Sequence, residues 1–184
     1  MARDDDHLVE TSLSSAQVFC GRLLDVRRDE VRLPDGRQAS REYIVHPGAV
    51  MIVPVLDDGR LLFERQYRFP LGRVLIEFPA GKVDPGEERL ATAQRELLEE
   101  TGYVAERWSP MGLLHPVVSY STEQIDIFLA EGLRHEGAQL DEGEFVECFT
   151  ATLGEALGWL DRGELSDGKT MLGVLMYARR VGHR

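Results

Sequence analysis

The sequence has 184 residues, of which 43% are hydrophobic, and its formal net charge is −11. This length predicts one ordinary domain with a sizeable core and room for a small accessory lobe. The acidic charge argues against a surface that binds nucleic acids or anionic membranes, because such surfaces are basic. No apolar run approaches the roughly 20 residues of a membrane-spanning helix.

The N-terminal segment and the cysteines predict a cytoplasmic protein. The start, MARDDDHLVE, is polar and acidic and lacks the pattern of a signal peptide. Cys20 and Cys148 lie outside any C-x-x-C or Cys/His cluster, so a zinc site is not expected. Two reduced thiols fit a cytosolic protein best.

The first predicted elements are strands. Residues 17–46 alternate apolar and charged side chains on both sides of LPDGR, and Pro-Asp-Gly between such runs predicts a hairpin turn. We expect two or three antiparallel strands in a thin sheet that buries little by itself. The predicted division is an N-terminal strand lobe, residues 1–47, followed by the main domain, residues 48–184.

Buried strands and helices follow. AVMIVPVL and LLFERQYR, joined by DDGR, predict a buried hairpin, and VLIEFPAG predicts a short strand. The pattern becomes helical from Glu87 to Thr101, and Gly102 is a typical C-terminal stop. Beyond it, MGLLHPVV, EQIDIFLAEGL and EFVECFTA predict strands, while TLGEALGWLDRG and TMLGVLMYARR predict helices. This mixture, with mostly hairpin-length connections, predicts an α+β fold with a mixed-sheet sandwich.

The first helix carries three glutamates close together near its C-terminal end. At about 100° per residue, Glu96 and Glu100 lie one turn apart and Glu99 flanks them beside an apolar face. Like charges at this spacing repel, and the helix dipole disfavours negative charge at this end. Arg95 is spaced to pair with Glu99. A solvated charged face is one interpretation; a site for a hard divalent cation, which prefers several oxygen ligands, is the other.

Residues 81–103, GKVDPGEERLATAQRELLEETGY, match the Nudix box at every fixed position. The chain therefore resembles the Nudix hydrolases, which cleave nucleoside diphosphates linked to another moiety. The resemblance implies an α+β fold with a Nudix-type mixed β-sheet sandwiched between helices and an N-terminal antiparallel strand lobe. It also implies a loop–helix–loop that binds Mg²⁺, with Mn²⁺ as the alternative, through the Ala80 carbonyl, Glu96, Glu99 and Glu100.

The box implies roles for three further residues. Arg95, with Glu87 as its support, is expected to assist catalysis by orienting the glutamates, and Gly81 is expected in the substrate-binding site. Bound cations would also attract an anionic substrate in spite of the negative net charge.

Other stretches resemble the ADP-ribose pyrophosphatase subgroup: REYIVHPGAV, ERQYR, IEFPAGKVDPGE, DEGEFVE and GELSDGKT. This resemblance implies Mg²⁺-dependent hydrolysis of a nucleoside diphosphate sugar, foremost ADP-ribose to AMP and ribose 5-phosphate. It also implies a homodimer whose strand lobe helps to complete the substrate site. Arg41 and Glu42 are candidates for the nucleotide end, Arg68 for a phosphate, and Glu123 for a sugar or a metal-bound water. The alternative for each is an exposed strand residue, with at most a weak surface ion pair.

The same resemblance suggests a general base in DEGEFVE. Glu144 is the first candidate, Glu142 could substitute for it, and Asp141 is a weaker third. The alternative is a charged turn before a strand.

One stretch departs from the subgroup pattern. HPVVSYSTEQ lacks the Pro-Gly pair common there, and the corresponding loop approaches the terminal sugar in the family. Hydrolysis of GDP-mannose or another nucleotide sugar therefore stays open. A non-catalytic nucleotide-sensing module and a purely structural interaction domain are further alternatives, which the complete glutamate set disfavours.

Overall fold

The protein is described from a computed structural model that covers residues 5–137 and 145–183. None of the described helices is long and apolar enough to span a membrane. The contacts between residues divide the chain into two compact units, Met1–His46 with Val117–Glu123, and Pro47–Pro116 with Gln124–Arg184.

The first unit contains a three-stranded antiparallel sheet in the order β1-β2-β3. Its strands are β1 (Thr11–Cys20), β2 (Asp25–Arg32) and β3 (Gln38–Val45). The predicted turn joins β2 to β3, and Gly36 adopts a φ of 87° there, which favours glycine. The segment Val117–Glu123 runs beside β3, because the Ile44 N–H donates to the Tyr120 carbonyl at 2.9 Å. The predicted strands of this lobe are thus present.

The second unit contains a seven-stranded mixed sheet and three helices. The sheet follows the order β10-β5-β4-β9-β8, while β6 pairs with β5 and β7 with β4. Among the described strands of this sheet, β4 and β9 are the only parallel pair. The strands are β4 (Ala49–Val55), β5 (Leu61–Arg68), β6 (Arg73–Glu77), β7 (Ala80–Lys82), β8 (Tyr103–Leu114), β9 (Ile125–His135) and β10 (Val146–Ala151). The helices are α1 (Arg89–Thr101), α2 (Leu153–Asp161) and α3 (Gly168–Arg180).

Helices cover both faces of this sheet, so β4 is buried along its whole length. On one face, Met51 and Phe63 belong to a core that α2 and α3 complete, and Phe63 stacks on Phe78 with centroids 4.5 Å apart. On the other face, Ile52 packs with Leu97 of α1. Successive residues of a strand point to opposite faces, which is why a continuous apolar run was needed here. The predicted α+β sandwich is confirmed.

Two predicted elements differ from the structure. The strand predicted over MGLLHPVV instead begins at Tyr103 and ends at Leu114, and Val117–Tyr120 form turns. The predicted hairpin of β4 and β5 pairs only next to its turn, where Val55 faces Leu61. The rest of that edge of β4 pairs with β7, so Ala80 lies opposite Met51. This pairing brings the loop before α1 to the centre of the sheet.

Candidate active site

Helix α1 places the three glutamates beside the β7 segment. The helix buries Ala93 and Leu97 in the core and ends at Gly102, whose φ of 74° lets its N–H reach the Leu98 carbonyl at 2.8 Å. The buried stripe fixes the rotation of the helix, so its carboxylate side faces the loop that contains Ala80 and Gly81. The Glu100 carboxylate accepts a hydrogen bond from the Ala80 N–H at 3.0 Å.

Gly81 is required for the close approach of Glu96. A Cβ atom at position 81 would lie 1.9 Å from both Cδ and Oε1 of Glu96. Real side chains do not approach so closely, so any other residue would displace the carboxylate. The glycine therefore sets the position of Glu96 against the backbone of the loop.

Arg95 ties the glutamates to the loop that precedes the helix. Its Nη1 donates to Glu96 and to Glu99, each at 2.9 Å, and its Nε and Nη2 donate to the two carboxylate oxygens of Glu87 at 3.0 Å. The pairing with Glu99 was expected from the spacing; the contact with the adjacent Glu96 was not. The hydrogen bonds from Arg95, with a further one from Thr92, lower the pKa of Glu87 to about 2.

The carboxylates fit a hard divalent cation by their chemistry, because such ions prefer oxygen ligands. Glu96 and Glu100 lie against one loop, and Glu99 joins Glu96 through Arg95. Within the described ranges, no group of three or more His, Cys, Asp or Glu side chains is already arranged to hold an ion. Ion binding would therefore require these side chains to rearrange around the loop.

A second polar cluster lies at the end of β6. Glu77 is only 1% exposed, and Arg68 donates to its two oxygens from Nε at 2.7 Å and from Nη2 at 2.8 Å. Lys169 also donates to Glu77, and it donates to Asp167 at 2.9 Å. Burial opposes the negative charge of Glu77, but its hydrogen bonds with Arg68 and Lys169 prevail and lower its pKa. The pairing of Glu77 with Arg68 and Lys169 was not predicted, although Glu77 lies in IEFPAGKVDPGE and Lys169 in GELSDGKT.

Two residues on neighbouring strands, the buried Glu64 of β5 and the exposed Cys148 of β10, lie near Glu100. Glu64 is 1% exposed and lies opposite both Glu77 and Cys148 in the strand registers. The Cys148 thiol donates to the Glu100 carbonyl at 3.4 Å. Burial, together with the charges of Glu64 and Glu100, raises the pKa of this thiol to about 11, so it stays protonated at neutral pH.

The remaining candidate residues lie elsewhere. In the first unit, Arg41 on β3 pairs with Glu10 through Nε at 2.9 Å, and the adjacent Glu42 is exposed. In the same unit, the Glu123 carboxylate lies 4.0 Å from Nε2 of His46. The base candidates Glu144, Glu142 and Asp141 lie outside the described residues.

Comparisons with known proteins agree with this fold. The NUDIX domain model matches residues 45–172, and the nucleoside diphosphate sugar hydrolase N-terminal domain model matches residues 10–44. The chain belongs to the Nudix family and is a Nudix hydrolase, an enzyme class that generally needs divalent metal ions.

The chain is similar to several proteins along most of its length. It is 39% identical to the ADP-ribose pyrophosphatase of Bacillus subtilis, with 91% of each chain covered. It is 36% identical to the methanol dehydrogenase activator of Bacillus methanolicus, with 90% of each covered. A crystal structure of an ADP compounds hydrolase superposes with a TM-score of 0.85 at 26% identity, covering 96% of this chain and 98% of that one.

Proposed function

We propose that this protein hydrolyses the diphosphate bond of ADP-ribose and releases AMP and ribose 5-phosphate. The observation that carries this proposal is the packing of Glu96 and Glu100 against Ala80 and Gly81, within a complete Nudix box. The similarity to a named ADP-ribose pyrophosphatase over nine-tenths of the chain supports the choice of substrate.

The metal that we propose is Mg²⁺, with Mn²⁺ as the alternative. Glu96, Glu99, Glu100 and the Ala80 carbonyl would hold it, since hard cations prefer oxygen ligands. When bound, such a cation neutralises charge on the phosphates and lowers the pKa of a bound water. Arg95 contributes by orienting Glu96 and Glu99, and Glu87 holds Arg95 in place from the loop side.

The substrate contacts are also proposals. Arg68 and Arg41 suit phosphate and nucleotide groups, because a guanidinium donates two parallel hydrogen bonds to such oxygens. Each now pairs with a carboxylate, Arg68 with Glu77 and Arg41 with Glu10. Binding would therefore exchange one anionic partner for another. Glu42 and Glu123 are also proposed to contact the substrate, as is Gly81, which lies beside Glu96.

We assign the general base to Glu144 on the family resemblance, with Glu142 as its substitute. Glu144→Gln should lower kcat by about 10²-fold or more while leaving the melting temperature unchanged, because general base catalysis typically contributes 10²–10⁴-fold. Glu142→Gln, which removes the other candidate carboxylate from the same stretch, discriminates between the two assignments. A large loss of rate in Glu142→Gln alone would move the role to that residue.

The test of the proposed function is a substrate panel with the purified protein and Mg²⁺. ADP-ribose, GDP-mannose, UDP-glucose and NADH are incubated in parallel, and the products are separated by chromatography. AMP and ribose 5-phosphate from ADP-ribose, at the highest kcat/KM of the panel, is the expected result. A preference for GDP-mannose would instead fit the departure at HPVVSYSTEQ. No turnover of ADP-ribose would refute the proposed function.

The proposal includes an arrangement for the whole chain. Residues 1–47 would serve as the N-terminal strand lobe for dimerisation and substrate contacts, and residues 48–184 as the hydrolase domain. The family models, which meet at residues 44 and 45, support this boundary. A cytoplasmic homodimer is the form that we propose for the enzyme.

A further inference from the structure

Glu77 has two cationic partners where one would balance its charge. Arg68 binds both of its carboxylate oxygens, and Lys169 binds one of them. A buried carboxylate without any cation is strongly destabilising, but a second cation is not needed for that purpose. Lys169 also binds Asp167, and Glu64 lies opposite Glu77, so the cluster has no excess of positive charge. Glu77 would nevertheless keep one cationic partner if the other left it.

The two cations differ in their freedom to move. The Arg68 side chain is 39% exposed, whereas that of Lys169 is 13% exposed. Lys169 is also held by Asp167, which accepts its hydrogen bond at 2.9 Å. Arg68 is therefore the more accessible of the two cations, and Lys169 is the more firmly held.

The start of helix α3 holds Lys169 in place. Asp167 caps the helix by accepting from the Thr170 N–H at 3.0 Å and from the Thr170 hydroxyl at 2.6 Å. The Thr170 oxygen in turn accepts from the Phe78 N–H at 2.9 Å, directly after Glu77. Thr170 is completely buried, so the cap and the end of β6 form one fixed unit around the lysine.

We propose that Lys169 is a positioning residue, which keeps Glu77 neutralised while Arg68 leaves it to bind a phosphate of the substrate. Without Lys169, the departure of Arg68 would leave a buried, unpaired carboxylate, so Arg68 would be retained by Glu77. The role of Lys169 is thus exerted through Arg68 and not through contact with the substrate. This inference rests on the proposed hydrolysis of a nucleoside diphosphate sugar.

The first experiment compares Lys169→Met with the wild type on ADP-ribose. KM should rise about tenfold, the size expected when one charge-assisted contact is lost, while kcat changes by less than about twofold. Lys169→Arg keeps the charge and should restore KM. Arg180→Met, which removes an exposed cation from the last turn of the same helix, is the matched control and should leave both constants unchanged.

A double-mutant cycle tests whether Lys169 acts through Arg68. Once Arg68→Met has removed the phosphate contact, adding Lys169→Met should raise KM no further. An unchanged KM in Lys169→Met alone, or the same tenfold rise in both backgrounds, would overturn the proposal. Should Lys169→Met not fold, Glu77→Gln with Lys169→Met removes both buried charges. Its KM should equal that of Glu77→Gln, and a tenfold excess would contradict the inference.

A binding measurement separates this inference from the proposed function. The α,β-methylene analogue of ADP-ribose cannot be hydrolysed at the diphosphate, and its Kd can be measured by calorimetry in the presence of Mg²⁺. Lys169→Met should raise this Kd about tenfold. Weakened binding in a protein that releases no AMP would refute the function alone. Normal AMP release with unchanged binding would refute the role of Lys169 alone, and no binding by the wild type would refute both.

Discussion

Gly81 lets the Glu96 carboxylate lie close to the backbone that precedes helix α1. The fixed spacing of the box matters because Gly81 and Glu96, which are fifteen positions apart in the chain, contact each other in the fold. The glycine is needed here for space, since its φ is not in the left-handed region. A larger side chain would shift Glu96 and loosen every contact that Arg95 makes with it.

Gly81→Ala should therefore lower kcat/KM by about 10²-fold, since a displacement of about 1 Å at a catalytic group can cost that much. The half-saturating Mg²⁺ concentration should rise in the same variant. Gly154→Ala is the control, because an added Cβ there meets nothing within 4 Å. If Gly81→Ala had the same kcat/KM as the wild type, catalysis would not depend on the present position of Glu96.

At the scale of elements, Arg95 and Glu87 join helix α1 to the loop before it. Arg95 binds Glu87 with two hydrogen bonds and also reaches the Lys82 carbonyl at 3.3 Å. Thr92, one turn before Arg95, donates to Glu87 at 2.8 Å. These contacts, which we call the α1 clamp, hold the loop on the helix and keep it near the glutamates.

The stabilising effect of Glu87 in the α1 clamp is lost at acidic pH. The pKa of Glu87 falls from 4.5 to about 2 on folding, so its stabilising effect is complete above about 4.5 and is lost as the pH falls towards 2. Glu87→Gln should lower the melting temperature by about 5 °C at pH 7, and this difference should narrow as the pH falls below about 4.5. Thermal unfolding, followed by circular dichroism at a series of pH values, measures the difference in melting temperature and its change with pH.

Glu88→Gln provides the matched control for the clamp. Glu88 is the exposed neighbour of Glu87, and its side chain makes no capping hydrogen bond with helix α1. The variant should melt like the wild type at every pH. If the difference in melting temperature between the wild type and Glu87→Gln instead stayed constant from pH 7 to pH 3, the ionised Glu87 carboxylate would not be the cause of the difference.

The elements also show what a sequence can predict. Helix α1 was predicted closely, because its apolar stripe and its terminal Gly102 are local signals. The pairing of Arg68 with Glu77 was not, because it depends on β5 lying antiparallel to β6 and on α3 reaching the same point. Local patterns indicate which residues form a strand, whereas neighbours across a sheet are set by the topology.

The start of β8 was missed for a related reason. Tyr103–Ser109 contain charged and polar residues together with apolar ones, and the strand is supported by its long pairing with β9. The candidate residues carried by the box could be identified because fixed spacing on a helix determines a shared face. Lys169, in contrast, could not be identified from local spacing, because its partner Glu77 is 92 positions away in the chain.

At the scale of the whole molecule, the exposed apolar residues of β1 bear on assembly. Every residue of this ten-residue strand is exposed, among them Leu13, Val18 and Phe19, with Phe19 at 55%. A sheet of three strands with such an edge strand is typically covered by a partner, because unpaired edges and apolar patches favour association. The proposed homodimer would bury these side chains.

Light scattering with size-exclusion chromatography should accordingly give twice the chain mass of 20.7 kDa. Combining Val18→Asp with Phe19→Asp should convert the protein to monomers, since a buried unpaired carboxylate opposes association. If the lobe completes the partner's site, these monomers should also lose ADP-ribose hydrolysis while keeping the α1 clamp and its acid sensitivity. Leu175→Asp, which places the same charge on an exposed apolar residue of α3, should remain dimeric and active. A fully active wild-type monomer would show instead that the exposed residues of β1 serve another purpose.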